Sequence, residues 1–350
     1  MSGALPAGVV DVLTYRIGPD YLWVLLVKAV IVIGFLATAF AYLTFAERKV
    51  SAHIQLRIGP NRVGPFGLLQ PAADGIKLFF KEYAPPAGRD KLLYFLGPGL
   101  AAAAAILAFA AIPVSGTSSV NGYELHWDVA HLNIGLLYIL AITSLGVYAI
   151  FLGGWSANSK YSLLGALRSS AQLISYEMAV AFALIGAVIL AQSLDLEQIV
   201  AAQHHVWFIV LQPLGFFLYF TAALAETNRA PFDLPEAETE LVAGYHTEYS
   251  GMRFGFYFLA EYVNMVIVCS IATALFLGGW LPVLPFLDFI PGVFWYLGKV
   301  SALLFTMMWI RWTWPRLRYD RLMNLGWKVL LPLGLLNIVI TGAVVAVQAA

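Results

Sequence analysis

Apolar residues run along this chain in blocks of about 20, the length that crosses the hydrocarbon core of a bilayer as a helix. Eight such blocks predict eight spans, at 21–46, 92–114, 131–153, 171–192, 206–227, 254–281, 293–314 and 326–348. Pro and Gly punctuate the connections, at Gly59-Pro60, Pro85-Pro86, Gly97-Pro98, Pro282, Pro285 and Pro291. No internal repeat is visible, which lowers the prior for an inverted-repeat transporter. The expected fold is an all-α polytopic membrane protein forming a single membrane domain over 1–350.

One segment has a different pattern. Over 68–83, Leu69, Ala72, Ala73, Ile76, Phe79, Phe80 and Tyr83 recur at helical spacing, with Gln70, Asp74, Lys77 and Lys81 on the other face. Pro71 suits a first helical turn. The segment is too short to span, and it predicts an amphipathic helix lying in the membrane interface. The alternative is a short helix packed on a soluble partner.

Composition agrees with the pattern. Of 350 residues 61% are hydrophobic and 11% charged, against roughly 25% charged in a soluble domain. The formal net charge is zero, which gives no sign of a nucleic-acid partner. The distribution of charge is more informative. Sixteen Lys and Arg fall in alternate loops: eight from Arg48 to Lys91, Lys160 and Arg168, Arg229 and Arg253, and four from Arg311 to Arg321. The opposite loops hold Arg16 alone, while Lys28, Lys299 and Lys328 sit in or at the edge of spans. The basic, longer loops are therefore expected in the cytoplasm and both termini outside. The N-terminal region lacks the basic start and cleavage site of a signal peptide.

Redox centres are not expected in the chain itself. Its one cysteine, Cys269, lies in an apolar run, whereas an iron–sulfur cluster takes about four cysteines. The six histidines show no HxxxH or HExxH spacing, and no dinucleotide or phosphate-binding glycine motif is present. No metal, flavin or NAD site is expected.

The candidate chemistry is carboxylate chemistry. Glu177 and Glu261 fall about two turns inside predicted spans, and Glu226 at the end of another. A charge at mid-bilayer costs at least ~2.5–3.5 kcal/mol, so three acids there suggest a proton path. The alternative is that each pairs with a basic side chain or reaches the headgroups. The segment 226–250 is denser still: Glu226, Asp233, Glu236, Glu238, Glu240 and Glu248 share it with Arg229 as the single base. Tyr245, His246 and Tyr249 can donate hydrogen bonds there. The rigid, partly apolar turn Pro231–Pro235 suggests a packed loop, against the plainer reading of a solvated one. Glu47-Arg48-Lys49 closes the first span, and Trp309, Arg311, Trp312, Trp314, Arg316, Arg318 and Tyr319 close the seventh. Such arginine–aromatic clusters anchor helices at the interface and also suit an amphipathic ligand.

These segments carry a resemblance. Gly67 to Glu82 (GLLQPAADGIKLFFKE) and Pro231 to Gly244 (PFDLPEAETELVAG) closely resemble two signature segments of the quinone-proximal membrane subunit of respiratory complex I, NADH:quinone oxidoreductase, known as the H subunit in bacteria and subunit 1 in mitochondria. Glu47–Lys49, Arg57–Pro65, Asn158–Ser162, Arg168–Glu177 and Arg316–Asp320 also look like that family, over about 21–348. The resemblance implies a chamber for a quinone substrate (ubiquinone or menaquinone) between the first span, the amphipathic helix and the sixth span. It implies reduction by an iron–sulfur cluster in a neighbouring soluble subunit. Implied partners are the iron–sulfur and quinone-site subunits of the peripheral arm, small membrane and antiporter-like subunits of the membrane arm, and lipid, in the inner membrane of a prokaryote. By motif, Glu177, Glu226 and Glu261 correspond to a buried proton path, and Asp233, Glu236, Glu238, Glu240 and Glu248 to an acidic quinone-site loop. Arg48, Arg62 and Tyr249 correspond to the chamber wall. Some members carry a glutamate where this chain has Ser144. The nearest alternative is the homologous membrane subunit of a membrane-bound hydrogenase or another donor-linked dehydrogenase complex.

Overall fold

The computed structural model describes residues 16–17, 20–120, 123–233, 243–283, 287 and 289–349. It is a helical bundle with two small hairpins, β1 (Arg16–Ile17) with β2 (Asp20–Tyr21) and β3 (Ser118–Val120) with β4 (Tyr123–Leu125). Among the described residues, seven helices are long and apolar enough to cross a membrane: α1 (Leu22–Ile54), α3 (Lys91–Phe109), α4 (Gly135–Ser156), α5 (Lys160–Ala191), α9 (Met252–Phe276), α10 (Gly292–Thr313) and α11 (Tyr319–Gln348). Between them lie α2 (Gln70–Phe80), α6 (Leu196–Ala202), α7 (Phe208–Leu211) and α8 (Pro213–Glu226). The chain is a helical polytopic membrane protein.

The predicted spans correspond to these helices, with α3 ending at 109 rather than 114, α11 starting at 319 rather than 326, and three further differences. The segment 206–227 is not one helix. It breaks at Gln212 (φ −133°, ψ 59°), because Pro213 disfavours a helical residue before it and has no N–H to continue the ladder. The remaining α8 is 14 residues, about 21 Å long against about 30 Å of hydrocarbon. The second difference is at α1 and α5, which extend well beyond 46 and before 171; their polar first or last turns project past the apolar block that hydropathy detects. The third is that the sixth span stops at Phe276 rather than 281, where Gly278 and Gly279 take positive φ.

Alternation of the helices gives the bundle two ends. The first end gathers the segments 55–90, 157–159, 227–233, 243–251 and 314–318. There the Asp90 N–H donates to the Ser156 carbonyl at 3.0 Å and that of Leu317 to Pro231 at 3.0 Å. The second end gathers 110–120, 123–134, 192–212, 277–283 and 289–291, joined by Leu136 N–H to the Leu194 carbonyl at 3.1 Å. Helix α9 is the core: 78% of its most apolar stretch is buried, against 11% for α1, which packs along the periphery.

Two polar groups inside the apolar bundle are paired in ways that hold helix ends. Gln212, buried at the α7–α8 break, donates to the Thr341 hydroxyl of α11 at 2.7 Å. Lys299 of α10 is nearly buried, yet its ammonium donates to the carbonyls of Leu277 (2.7 Å), Gly279 (2.9 Å) and Leu281 (2.6 Å) and lies 4.3 Å from the Trp207 ring. It thus caps carbonyls that follow the end of α9 and have no helical partner. Lys299→Met leaves those three carbonyls unmet. It should destabilise the bundle by about 2–4 kcal/mol, read as a lower midpoint of thermal unfolding in detergent, while Lys81→Met, at an exposed position, should leave the midpoint unchanged.

Candidate functional site

The first end of the bundle holds a buried ion cluster. Glu47, in the last third of α1, is 4% exposed. Its carboxylate accepts from Arg229 Nη1 at 3.0 and 3.1 Å, from the Tyr262 hydroxyl at 2.5 Å and from Arg311. Arg229, itself buried, uses Nε to ion-pair with Glu261 of α9 at 2.6 Å and lies over the Tyr262 ring at 4.4 Å. Two carboxylates and two guanidiniums therefore join α1, the segment after α8, α9 and α10. The sum of charges is zero, and each acid has a basic partner, the condition under which burial of ions is tolerated.

Local sequence explains how Arg229 arrives there. Helix α8 ends at Glu226, Asn228 takes a positive φ, and Gln172 of α5 holds both flanks, donating to the carbonyls of Ala225 (2.8 Å) and Phe232 (2.9 Å). The chain is turned inward between these two points, with Arg229 at its centre. Farther along, Gly244 (φ 62°) lies against Gly165 of α5, where a side chain would come within 2.7 Å of the Gly244 Cα. That contact lets the segment seat on the bundle.

A cavity of about 70 Å³ adjoins the cluster, lined by Ser144, Glu177, Glu226, Tyr257, Glu261 and Asn264 among others. It is large enough for a few waters at about 10–15 Å³ each. The three glutamates named from hydropathy thus share one cavity. The Ser144 hydroxyl lies within hydrogen-bond reach of both Glu177 and the Leu140 carbonyl, and it stands at the place where some members of the resembled family carry an acid. Glu261 faces both ways: it lines the cavity and pairs with Arg229.

The other sequence-derived positions divide. Asp233 is ion-paired with Arg316 at 3.0 Å, across two loops of the first end. Arg48 pairs with Asp74 of α2 at 2.7 Å and ties α2 to α1, while Arg62 is exposed in the loop between them. Tyr249 is buried, its ring stacked on Tyr94 at 4.2 Å and its hydroxyl engaged with the Gly153 carbonyl and Ser156. Glu248 is half-buried, and its backbone carbonyl accepts from Tyr94 at 2.7 Å. Glu236, Glu238 and Glu240 lie outside the described residues. Helix α2 buries none of its residues; Ile76, Phe79 and Phe80 are exposed.

Sequence reading missed the cluster itself. It places Glu47 in a basic helix end and Arg311 among interface anchors, whereas Arg311 turns in toward Glu47. It counts Arg229 as the single base of an acidic loop, whereas Arg229 serves acids on α1 and α9. The available signal was a lone acid at the end of one span and a lone base after another; nothing local pairs residues 182 positions apart.

The fold and this site define a class: polytopic helical membrane proteins with charged groups paired inside the bundle. Comparison with known proteins narrows it. The family model described as NADH dehydrogenase matches residues 27–342. The chain is 52% identical over 338 residues to an H subunit of NADH-quinone oxidoreductase, the one numbered 2, of Geobacter metallireducens, covering 93% of this chain and 96% of that protein. It is 53% identical over 324 residues to the H subunit of Thermomicrobium roseum (90% and 94%) and 51% over 323 residues to the H subunit numbered 2 of Rhizobium meliloti (92% and 98%). The chain belongs to the H-subunit family of NADH-quinone oxidoreductase, respiratory complex I.

Two outcomes follow from this geometry. Arg229→Gln removes the guanidinium that serves both Glu47 and Glu261, leaving Arg311 on Glu47, and should cost about 3–5 kcal/mol, seen as lower assembly yield and thermal midpoint; adding Glu261→Gln should recover part of the loss, giving a non-additive double-mutant cycle. The second concerns His246, packed against Tyr245 and Phe254 in the loop after α8. Burial lowers its pKa from 6.5 to about 4, against the opposing pull of Asp233. The unfolded loop therefore binds more protons between these values, so local stability falls as pH drops through 6.5 toward 4, by about 1–2 kcal/mol at pH 5. Amide exchange over 243–250, corrected for intrinsic rates, should show this loosening in the wild type and not in His246→Gln.

Proposed function

We propose that this chain is the quinone-chamber and proton-coupling membrane subunit of a proton-translocating NADH:quinone oxidoreductase. The observation that carries the reading is the double membership of Glu261, at once a partner of the buried cations and a wall of the cavity that holds Glu226, Glu177 and Ser144. Family membership supports the assignment to the complex.

In this reading the first end of the bundle faces the cytoplasm and the peripheral arm, as its basic loops suggest. Both termini lie outside, in the inner membrane of a prokaryote. The eighth crossing is made by α7 and α8 together, with the buried Gln212 side chain at the break hydrogen-bonded to Thr341 of α11. Helix α2 lies in the interface with Ile76, Phe79 and Phe80 toward lipid. Quinone, the substrate, enters between α1, α2 and the start of α9. Arg48 and Arg62 flank that approach, Asp233 with Glu236, Glu238, Glu240 and Glu248 lines the inner part, and Tyr249 fixes the loop from within. Soluble iron–sulfur and quinone-site subunits close the chamber, and the small and antiporter-like membrane subunits take up the coupling. The chain supplies no redox centre of its own.

Coupling then has a physical form. Reduction of the quinone takes two electrons, delivered from the neighbouring cluster, and two protons. It changes charge beside the acidic loop. A unit charge about 6 Å from Arg229 or Arg311 is worth about 3 kcal/mol at an effective dielectric of about 20, or about two pKa units. That weakens the hold of a guanidinium on Glu261. A carboxylate that loses its cation in a small polar cavity gains proton affinity, and Glu226 and Glu177, acting with it as a coupled set, pass the proton on. Glu177→Gln, Glu226→Gln and Glu261→Gln, each within the assembled complex, should lower quinone reduction coupled to proton translocation by about tenfold or more. Wild-type turnover and pumping in all three would defeat the proton-path assignment.

A further inference from the structure

The second end of the bundle, away from the ion cluster, carries a group that the proposed coupling does not use. His126, Asp128 and His131 lie in the connection between α3 and α4, and Glu197 in the first turn of α6. One ligand-type atom from each of the four falls within 4.8 Å of all the others. We propose that these four side chains form a binding site for a divalent transition-metal ion of the zinc class.

Three observations carry this. First, the spacings are those of a coordination polyhedron. Four ligands at about 2.0–2.2 Å around tetrahedral zinc stand about 3.3–3.6 Å from one another. His131 Nδ1 is 3.2 Å from Asp128 Oδ2, and His126 Nδ1 is 3.5 Å from Glu197 Oε1; the two imidazole rings are 4.5 Å apart. The widest separation among the four is under 4.8 Å. Second, donor atoms are left over. Asp128 Oδ1 is buried and takes no hydrogen bond, while His126 Nδ1 and Glu197 Oε1 meet only each other, at 3.5 Å. Buried polar atoms are ordinarily paired, and imidazole nitrogens facing carboxylate oxygens enclose a space that suits a cation. Lys28 of α1 is the nearby cation and offsets part of the charge of Asp128, but two carboxylates converge here. Third, the site is built from held backbone. The N–H groups of Val129 and Ala130 both donate to the Ala110 carbonyl at 3.0 and 2.9 Å, and Asp195 caps α6 by accepting from the Glu197 N–H at 3.0 Å. Ligands on fixed segments need little ordering when the ion arrives.

The donor set, two imidazoles and two carboxylates, suits zinc over calcium or magnesium, which take oxygen ligands in larger numbers. With all four positions filled by the chain, the ion is structural. It staples the α3–α4 connection to the segment between α5 and α8, beside the Leu136–Leu194 hydrogen bond that joins the start of α4 to the same segment.

The test is zinc binding by the purified complex containing the full chain, stripped with a chelator and dialysed against Zn²⁺ alone. Wild type should retain one Zn²⁺ more than His131→Ala, and Glu197→Gln should bind that ion at least about tenfold more weakly at neutral pH. A Zn K-edge spectrum of the loaded wild type, which requires no variant, should show imidazole nitrogens near about 2.0–2.1 Å. Equal uptake by wild type and both variants, no uptake by wild type, or a spectrum without imidazole ligands would each overturn the site.

Discussion

The buried carboxylate of Glu47 sets the terms for the first end of this bundle. An ionised carboxyl removed from water is tolerable only with close cationic partners and satisfied oxygens, and Glu47 has Arg229, Arg311 and the Tyr262 hydroxyl. Those partners come from three other places in the chain, so meeting the need of one side chain fixes the relative positions of α1, α9, α10 and the turn after α8. The requirement propagates. Arg229 reaches the cluster only because Gln172 holds the chain on either side of it. Glu261 is then brought to the edge of the cavity by the same guanidinium.

Elsewhere the same constraint is met in simpler ways. The break before Pro213 frees backbone groups inside an apolar bundle, and the buried Gln212 side chain is committed to Thr341 of the neighbouring helix. The end of α9 leaves carbonyls that Lys299 collects. Both are charged or polar residues in stretches that hydropathy reads as uniformly apolar. Their roles are visible only when the helix ends around them are known, because a lysine within a span reads the same whether it lines a path or caps a helix.

Much of the fold was legible in the hydrophobic pattern, and the reason is physical: in lipid a span must close its own backbone hydrogen bonds, so length and apolarity alone identify it. What hydropathy does not register is where a helix continues past the membrane, as α1 and α5 do, or where a proline splits an apolar block, as at Gln212. The glutamates of the cavity were legible as costly residues in improbable places. Glu47, Arg229 and Arg311 were not, because each sits among residues of ordinary interface character and acquires meaning through a partner far away in sequence. The cluster of His126, Asp128, His131 and Glu197 escaped for a related reason. Metal motifs are recognisable when one helix carries two ligands, whereas here three come from an irregular connection and the fourth from a helix far beyond it in the chain.

Under the proposed coupling, the cluster also governs how a charge change at one place is felt at another. A chain of hydrogen-bonded carboxylates alone would conduct in either direction with no preference. The cluster differs, since its two acids and two bases are balanced at rest and every member touches a different element. Disturbing one cation leaves a net negative charge in a region of low dielectric. The acid that adjoins the cavity, and so can exchange a proton with water there, is Glu261, whereas Glu47 is enclosed by its three donors. Asymmetry of solvation thus gives the series a direction. Ser144 extends it by one hydroxyl, within hydrogen-bond reach of Glu177.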